Sequence, residues 1–267
     1  MTTSQTSVQP KDSLARIWAI GRSTYKEIIR DRLLYGILVV ALLLVASSFF
    51  LSTISLDQSS RVLQNVGLAA IHLFAFLICA FVATNSVRKD IERRTLYLLF
   101  PKPVSRTQYV VGKYVGMILL LITTLVILGG LYSIGTALTD KSLLHSAAIS
   151  LVYSFLEISF LTALAILFAS FASALNAALY TVALFVIGHS LGTVRLFLVT
   201  RSGVLTNKTV GVLYYLLPNL EKFDVRSSLL YGLHIPLADF LWTVAYWALY
   251  TGLVLYLAIQ VTKIREV

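Results

Sequence analysis

Charged side chains are scarce in this sequence. Only 13% of its 267 residues are Asp, Glu, Lys or Arg, whereas a soluble domain carries about a quarter. Short segments of alternating polar and apolar residues, which build membrane barrels, are also missing. Apolar sequence is abundant instead: 58% of the residues are hydrophobic, and they gather in six long runs. Runs of roughly 20 apolar residues are long enough to cross a bilayer as helices, so the sequence indicates an all-α integral membrane protein.

Cysteine and acidic residues are also few. The single cysteine, Cys79, lies inside an apolar run, which excludes a disulfide framework. There are 12 acidic residues against 22 Lys and Arg, which gives a net charge of +10. Such a balance can indicate nucleic-acid binding, but here the bases gather between the apolar runs, as in membrane proteins. We therefore expect membrane lipids around the chain and no nucleic-acid partner.

The apolar runs predict six transmembrane helices preceded by an amphipathic interfacial helix. Residues 1–12 are polar and are expected to be disordered. Residues 13–32 place charged and apolar side chains on separate faces at 100° per residue, as expected of a helix lying in the membrane interface. The transmembrane domain is predicted at 33–262, with spans at 33–53, 65–86, 109–138, 147–171, 177–194 and 239–261. A long connection at 195–238 precedes the last span, and a tail at 263–267 follows it.

The distribution of Lys and Arg predicts the orientation. Six precede the first span, seven lie between residues 88 and 113, and two lie in the tail, so 15 of the 22 fall on one side. Positive charge is concentrated on the cytoplasmic side of membrane proteins. We therefore expect both termini in the cytoplasm and the 195–238 connection outside.

Residues 88–113 form a basic island with seven bases and two acids. Val87–Leu99 can form a short helix, which Pro101 and Pro103 would end, because proline cannot continue a helix. Ser105 followed by Gln108 has the form of a capping box that starts the next helix. Such an element could bind a soluble partner, or it could be a solvated loop that only sets the topology.

The island resembles the cytoplasmic loop of type-2 ABC transporter permeases. The matching pattern is Glu92-x-x-Thr95-Leu96, then Pro103-Val104-Ser105-Arg106, then Gly112-Lys113. The layout of an interfacial helix, six spans and a long outer connection is also that of the family. Residues 217–232 are similar to permeases of the multicopper-enzyme-maturation group.

The resemblance implies the membrane subunit of an ATP-driven exporter in the bacterial inner membrane. Residues 87–108 would be the coupling element, seated on a cytoplasmic ABC ATPase through the 88–106 loop. The coupling residues would be Arg88, Asp90, Glu92, Arg93, Arg94 and Arg106. The ATPase groove should be acidic, and a second copy of the chain or a related permease would complete the pathway.

No cofactor is expected on this chain, because the sequence has no phosphate-binding P-loop. Gly112-Lys113 lacks a glycine five residues earlier and a following Ser or Thr. ATP and Mg²⁺ are therefore expected on the partner subunit, and the chain is not expected to be an enzyme.

Two other functions compete with transport. Gly188-His189-Ser190-Leu191-Gly192 matches the G-x-S-x-G nucleophile elbow of hydrolases, and Asp224 and His234 follow in the required order. An elbow needs a strand before it and a helix after it, whereas an apolar run precedes Ser190. The other alternative is a membrane scaffold or assembly factor without transport activity.

Glu157 is the one acidic residue well inside a predicted span, and such a group is costly and often functional. It lies 16 residues before Ser173, at the turn between spans four and five, and His189 lies 16 residues after it. In an antiparallel hairpin the two would lie at equal depth, where they could form a buried pair or line a substrate path. His72, in span two, has no second ligand at metal spacing, so the sequence predicts no metal site.

Overall fold

The computed structural model describes residues 10–54, 59–92, 105–139, 143–201, 217–230, 233 and 235–264. Every regular element within these ranges is helical, and they contain no strand. The α-helices are α1 (Pro10–Ile29), α2 (Arg32–Ile54), α3 (Ser59–Glu92), α4 (Arg106–Thr139), α5 (Leu143–Phe171), α6 (Ala174–Arg201), α7 (Arg226–Leu230) and α8 (Leu237–Ile264). A 3-10 turn, Leu220–Phe223, precedes α7.

The prediction of six membrane-spanning helices is confirmed. Within the described ranges, α2, α3, α4, α5, α6 and α8 are long and apolar enough to cross a membrane. Their interiors contain no proline, so the backbone hydrogen-bond ladder can run without interruption through each apolar stretch. Pro236 lies immediately before α8, where a missing amide hydrogen does no harm.

The predicted boundaries differ from the structure at several places. Helix α1 begins at Pro10 rather than near residue 13, because proline is well suited to the first turn of a helix. Helix α6 continues to Arg201, so the first seven residues of the expected 195–238 connection are helical. Helix α3 runs unbroken to Glu92, so the predicted start of a separate helix at Val87 is wrong. Residues 93–104, with the Pro101–Pro103 stop, lie outside the described residues.

The central helices are α3 and α5. In each of them, 72% of the most apolar stretch is buried inside the chain, compared with 22% in α2 and 17% in α8. Helices α2 and α8 therefore flank the core and expose apolar side chains such as Val39, Leu43, Leu249 and Leu253, as expected of surfaces that face lipid.

Helix α1 packs against the first half of α4 at glycines. A Cβ atom added to Gly116 would lie 2.6 Å from the carbonyl oxygen of Gly21, and one added to Gly112 would lie 2.7 Å from Ile20. Only glycine permits this close approach of the two backbones. Leu14 and Trp18, in the first half of α1, are exposed.

Candidate functional sites

The first site lies at the end of the bundle that holds α1, the end of α3 and the start of α4. Its centre is Lys113, on α4, which is only 3% exposed. The Lys113 Nζ lies 2.7 Å from Asp90 Oδ2 and 3.9 Å from Glu27 Oε2, and it donates to Ser86 Oγ at 3.0 Å. The Tyr109 hydroxyl donates to the same Asp90 oxygen at 2.8 Å. We call these five residues the Lys113 network; it joins α1, α3 and α4.

A second ion pair fixes the junction between α1 and α2 to α3. Lys89 Nζ lies 2.9 Å from Asp31 Oδ2, and the other Asp31 oxygen accepts from the backbone N–H of Leu33 at 3.1 Å. The hydrogen bond from Lys89 lowers the pKa of Asp31 below its ordinary value, outweighing the opposing effect of partial burial. Asp31 therefore stays ionised at neutral pH and caps α2 while it holds α3.

The start of α4 has the predicted capping box, and the structure confirms it. The backbone N–H of Ser105 donates to Gln108 Oε1 at 3.0 Å, and the N–H of Gln108 donates to Ser105 Oγ at 3.2 Å. The Gln108 amide also donates to Ser13 Oγ on α1 at 3.0 Å.

The next residue after the cap also bridges two helices. The Arg106 guanidinium donates to the backbone carbonyl oxygens of Thr262 and Lys263, near the end of α8. The start of α4 is thereby attached to both α1 and α8.

The structure distributes the predicted coupling residues among different roles. Asp90 bonds within the chain, to Lys113 and Tyr109, and Arg106 bonds to α8. Arg88 is half-buried near the end of α3, and Glu92 is the last residue of that helix. Arg93 and Arg94 lie outside the described residues.

Sequence reasoning did not identify Lys113 as a structural centre. It considered this lysine as one base of the island, as part of the family pattern and as part of a failed phosphate-binding motif. The available signal was a lone lysine two turns into an apolar helix, where an ammonium group needs an acidic partner.

The second site lies between α3, α5 and α6. Glu157, the central residue of α5, is 1% exposed, and His72 on α3 is 4% exposed. His72 Nε2 lies 3.5 Å from Glu157 Oε2, and His189 Nε2 on α6 lies 3.4 Å from Glu157 Oε1. The two residues that the sequence places at equal depth are thus in contact. His72, for which the sequence offered no partner, completes the group.

The G-x-S-x-G motif does not form a nucleophile elbow. Gly188 to Gly192 lie within the continuous helix α6, and Ser190 Oγ donates to the Val186 carbonyl oxygen at 2.8 Å. The two glycines instead admit the segment around the 3-10 turn. A Cβ atom on Gly188 would lie 2.6 Å from Leu220, and one on Gly192 would overlap the Glu221 carboxylate.

The other members of the suggested triad do not support hydrolysis. Asp224 pairs with Arg226, with Nε 2.9 Å from Oδ1, and His234 lies outside the described residues. Burial opposes ionisation of Asp224, but the hydrogen bond and charge of Arg226 prevail and lower its pKa.

Comparison with known protein families identifies a relationship. A family model described as "ABC-2 family transporter protein" matches residues 18–202, from within α1 to the end of α6. No curated protein matches the chain at a significant level. The matched range contains the Lys113 network and the group of His72, Glu157 and His189, and it covers more than half of the chain.

Proposed function

Since the chain belongs to the ABC-2 family of transporter membrane proteins, we propose that it is the permease subunit of a bacterial ATP-driven exporter. A separate cytoplasmic ABC ATPase would hydrolyse ATP with Mg²⁺, and this chain would bind neither. Two permease subunits, either two copies of this chain or this chain and a related one, would form the substrate path in the inner membrane.

The observation that carries the proposal is the attachment of both ends of the basic island. The end of α3 is held through Lys89 and Asp90, and the start of α4 is held through Arg106, Gln108 and Lys113. A displacement of the island by a partner would therefore move α3 and α4 together with α1 and α8. Because α3 belongs to the core, this linkage supports the role of a coupling element.

The attachments also indicate different roles for the charged residues of the island. Asp90 and Arg106 hold the element to its own chain, and the other predicted coupling residues, Arg88, Glu92, Arg93 and Arg94, are the candidates for contacting the ATPase. The acidic groove proposed for the partner would accept the arginines, and Glu92 would contact a base on its rim.

Charge reversal at Glu92 tests the coupling. The tagged chain is purified in mild detergent from its own bacterium, and the captured ATPase is recognised by its P-loop and its ATP hydrolysis. We expect Glu92→Lys to lower ATPase recovery more than tenfold while membrane insertion is unchanged. The substitution places a positive charge opposite the base on the ATPase that Glu92 would contact, and that base loses its acidic partner.

Asp239→Lys is the matched control. Asp239 is an exposed acid in the first turn of α8, far along the chain from the island, and its reversal should leave ATPase recovery unchanged. Equal recovery with Glu92→Lys and with the wild-type chain would contradict the assignment of Glu92. Recovery of no ATPase by the wild-type chain would favour a scaffold without transport.

A further inference from the structure

The group of His72, Glu157 and His189 comes from three helices, and each residue offers an atom that could bind a metal ion. Its ligand atoms, one from each residue, all lie within 4.8 Å of one another. Among the residues that the structure describes, the two histidines are the ion-pair partners of Glu157. A carboxylate buried to this extent in a membrane protein needs a positive charge to compensate it.

The hydrogen bonds of the imidazole rings direct both Nε2 atoms at Glu157. His189 Nδ1 lies 3.2 Å from the carbonyl oxygen of Phe185, which can only accept, so Nδ1 carries the proton. His72 Nδ1 lies 3.1 Å from Ser154 Oγ, a hydroxyl that accepts when Nδ1 carries the proton. In the neutral rings each Nε2 then presents a lone pair to the carboxylate. Metal-binding histidines are commonly oriented by such a bond from the second ring nitrogen.

The three facing atoms lack hydrogen bonds. His72 Nε2, His189 Nε2 and Glu157 Oε1 are buried without a hydrogen-bond partner. Lone pairs that face a carboxylate repel it unless a proton or a cation lies between them. The 3.4 and 3.5 Å separations run to the two different oxygens of Glu157, and the set with one atom from each residue lies within 4.8 Å. Ligands on a tetrahedral ion bound at about 2.05 Å lie about 3.3 Å apart, so an ion would draw the three side chains closer together.

From this geometry we propose that His72, Glu157 and His189 bind one divalent transition-metal cation of the Zn²⁺ type. Two imidazole nitrogens and one carboxylate oxygen suit such ions, whereas Ca²⁺ and Mg²⁺ require mostly oxygen ligands. The fourth position is left for water or an anionic group. The site would fasten α3 to the hairpin of α5 and α6, and it does not depend on what the chain transports.

Aromatic rings cover one side of the site. The Phe185 ring lies 4.6 Å from the His189 ring and 6.0 Å from the His72 ring, and it stacks on Phe76 at 4.2 Å between centroids. An apolar wall of this kind excludes competing water and strengthens the bond to the ion. His189 is more exposed than the other two ligands, with 22% of its side chain accessible, so an ion can enter from its side.

The experiment measures metal binding to the full chain in detergent or lipid discs after the metal has been removed with EDTA. Zn²⁺ stoichiometry is measured by elemental analysis, and Co²⁺ is used as a probe because tetrahedral coordination gives it intense visible absorption. We expect one ion per chain, and at least tenfold weaker binding in each of His72→Gln, Glu157→Gln and His189→Gln. His145→Gln, which removes an exposed histidine on the same helix as Glu157, is the matched control and should bind normally.

A second measurement does not depend on whether the variants fold. X-ray absorption at the zinc edge of the wild-type chain should show imidazole scattering together with a light oxygen neighbour. Absence of a cobalt band in the wild-type chain overturns the proposal. The three residues would then be held together by a shared proton instead of a metal ion. Equal binding by the wild-type chain and all three variants also overturns it, since the result would then report an adventitious ion only.

Discussion

Two lysines at the α1 end of the bundle form ion pairs, and they differ in how deeply they are buried. The Lys113 side chain is 4% exposed, whereas that of Lys89 is 41% exposed. Their shortest ion-pair distances are similar, 2.7 and 2.9 Å. Removing a lysine from a buried pair leaves an uncompensated carboxylate, whereas water replaces a lysine lost from an exposed pair.

We therefore expect unequal losses from the same substitution. Lys113→Met should lower the free energy of unfolding by about 3–5 kcal/mol, because Asp90 is left without its main cation. Lys89→Met, the matched control, should lower it by about 1 kcal/mol or less. Thermal and denaturant unfolding in one detergent would measure both. Similar losses in the two variants would show that burial does not set the strength of the Lys113 network.

Single residues were predictable where the decisive partner is close in sequence. The Ser105–Gln108 capping box spans three residues, and the contact between Glu157 and His189 follows from counting outward from one tight turn. The contact of His72 was not predicted because its partner, Glu157, lies on another helix, 85 positions away. Which helix packs against a hairpin depends on the packing of the whole bundle and cannot be read from the sequence near His72.

At the scale of elements, the crossing of α1 and α4 depends on glycine. A Cβ atom on Gly116 meets backbone on α1, which cannot rotate aside as a side chain would. Gly130 lies on the same helix, and a Cβ atom there would meet nothing within 4 Å. The two positions therefore separate helix packing from the intrinsic preference of alanine for helices.

Alanine at these two glycines should act in opposite directions. Gly116→Ala should destabilise the chain by about 1–3 kcal/mol because the helices must move apart. Gly130→Ala should be neutral or stabilise it by up to about 1 kcal/mol. Unfolding midpoints test both, and proteolysis within α1 should accelerate only in the first variant. A stable Gly116→Ala variant with protected α1 would mean that the close contact is not needed.

Element boundaries were less predictable than the elements. The predicted break at Val87 assumed that the end of the apolar run would also end the helix. In the structure, Ser86, Lys89 and Asp90 find partners on neighbouring elements, so a polar continuation of α3 is stable. Hydropathy alone could not distinguish a new helix from a polar extension of the old one.

At the scale of the whole molecule, orientation remains a prediction from charge. Both ends of α8 carry suitable reporter positions nearby: Ser228, on α7 before it, and the exposed Lys263, in its last turn. The native Cys79 is 3% exposed and should react little with a polar reagent, so the wild-type chain serves as a blank.

Thiol labelling of intact cells tests the orientation. A membrane-impermeant maleimide should label Ser228→Cys from outside, and it should label Lys263→Cys only after the membrane is opened. The physical reason is the concentration of Lys and Arg around the island and in the tail. Labelling of Lys263→Cys in sealed cells would show that the topology is the reverse of the predicted one, and the island could then not contact a cytoplasmic ATPase.

The bond between Arg106 and the last turn of α8 has a consequence for the order of assembly. A ribosome makes α4 well before α8, so the carbonyl oxygens of Thr262 and Lys263 do not yet exist when Arg106 enters the membrane surface. Until they do, the start of α4 lacks one of its attachments, and the guanidinium has no helix C-terminus to neutralise. Synthesis of α8 thus supplies one of the attachments of α4, so the start of α4 reaches its final contacts only after α8 has been made.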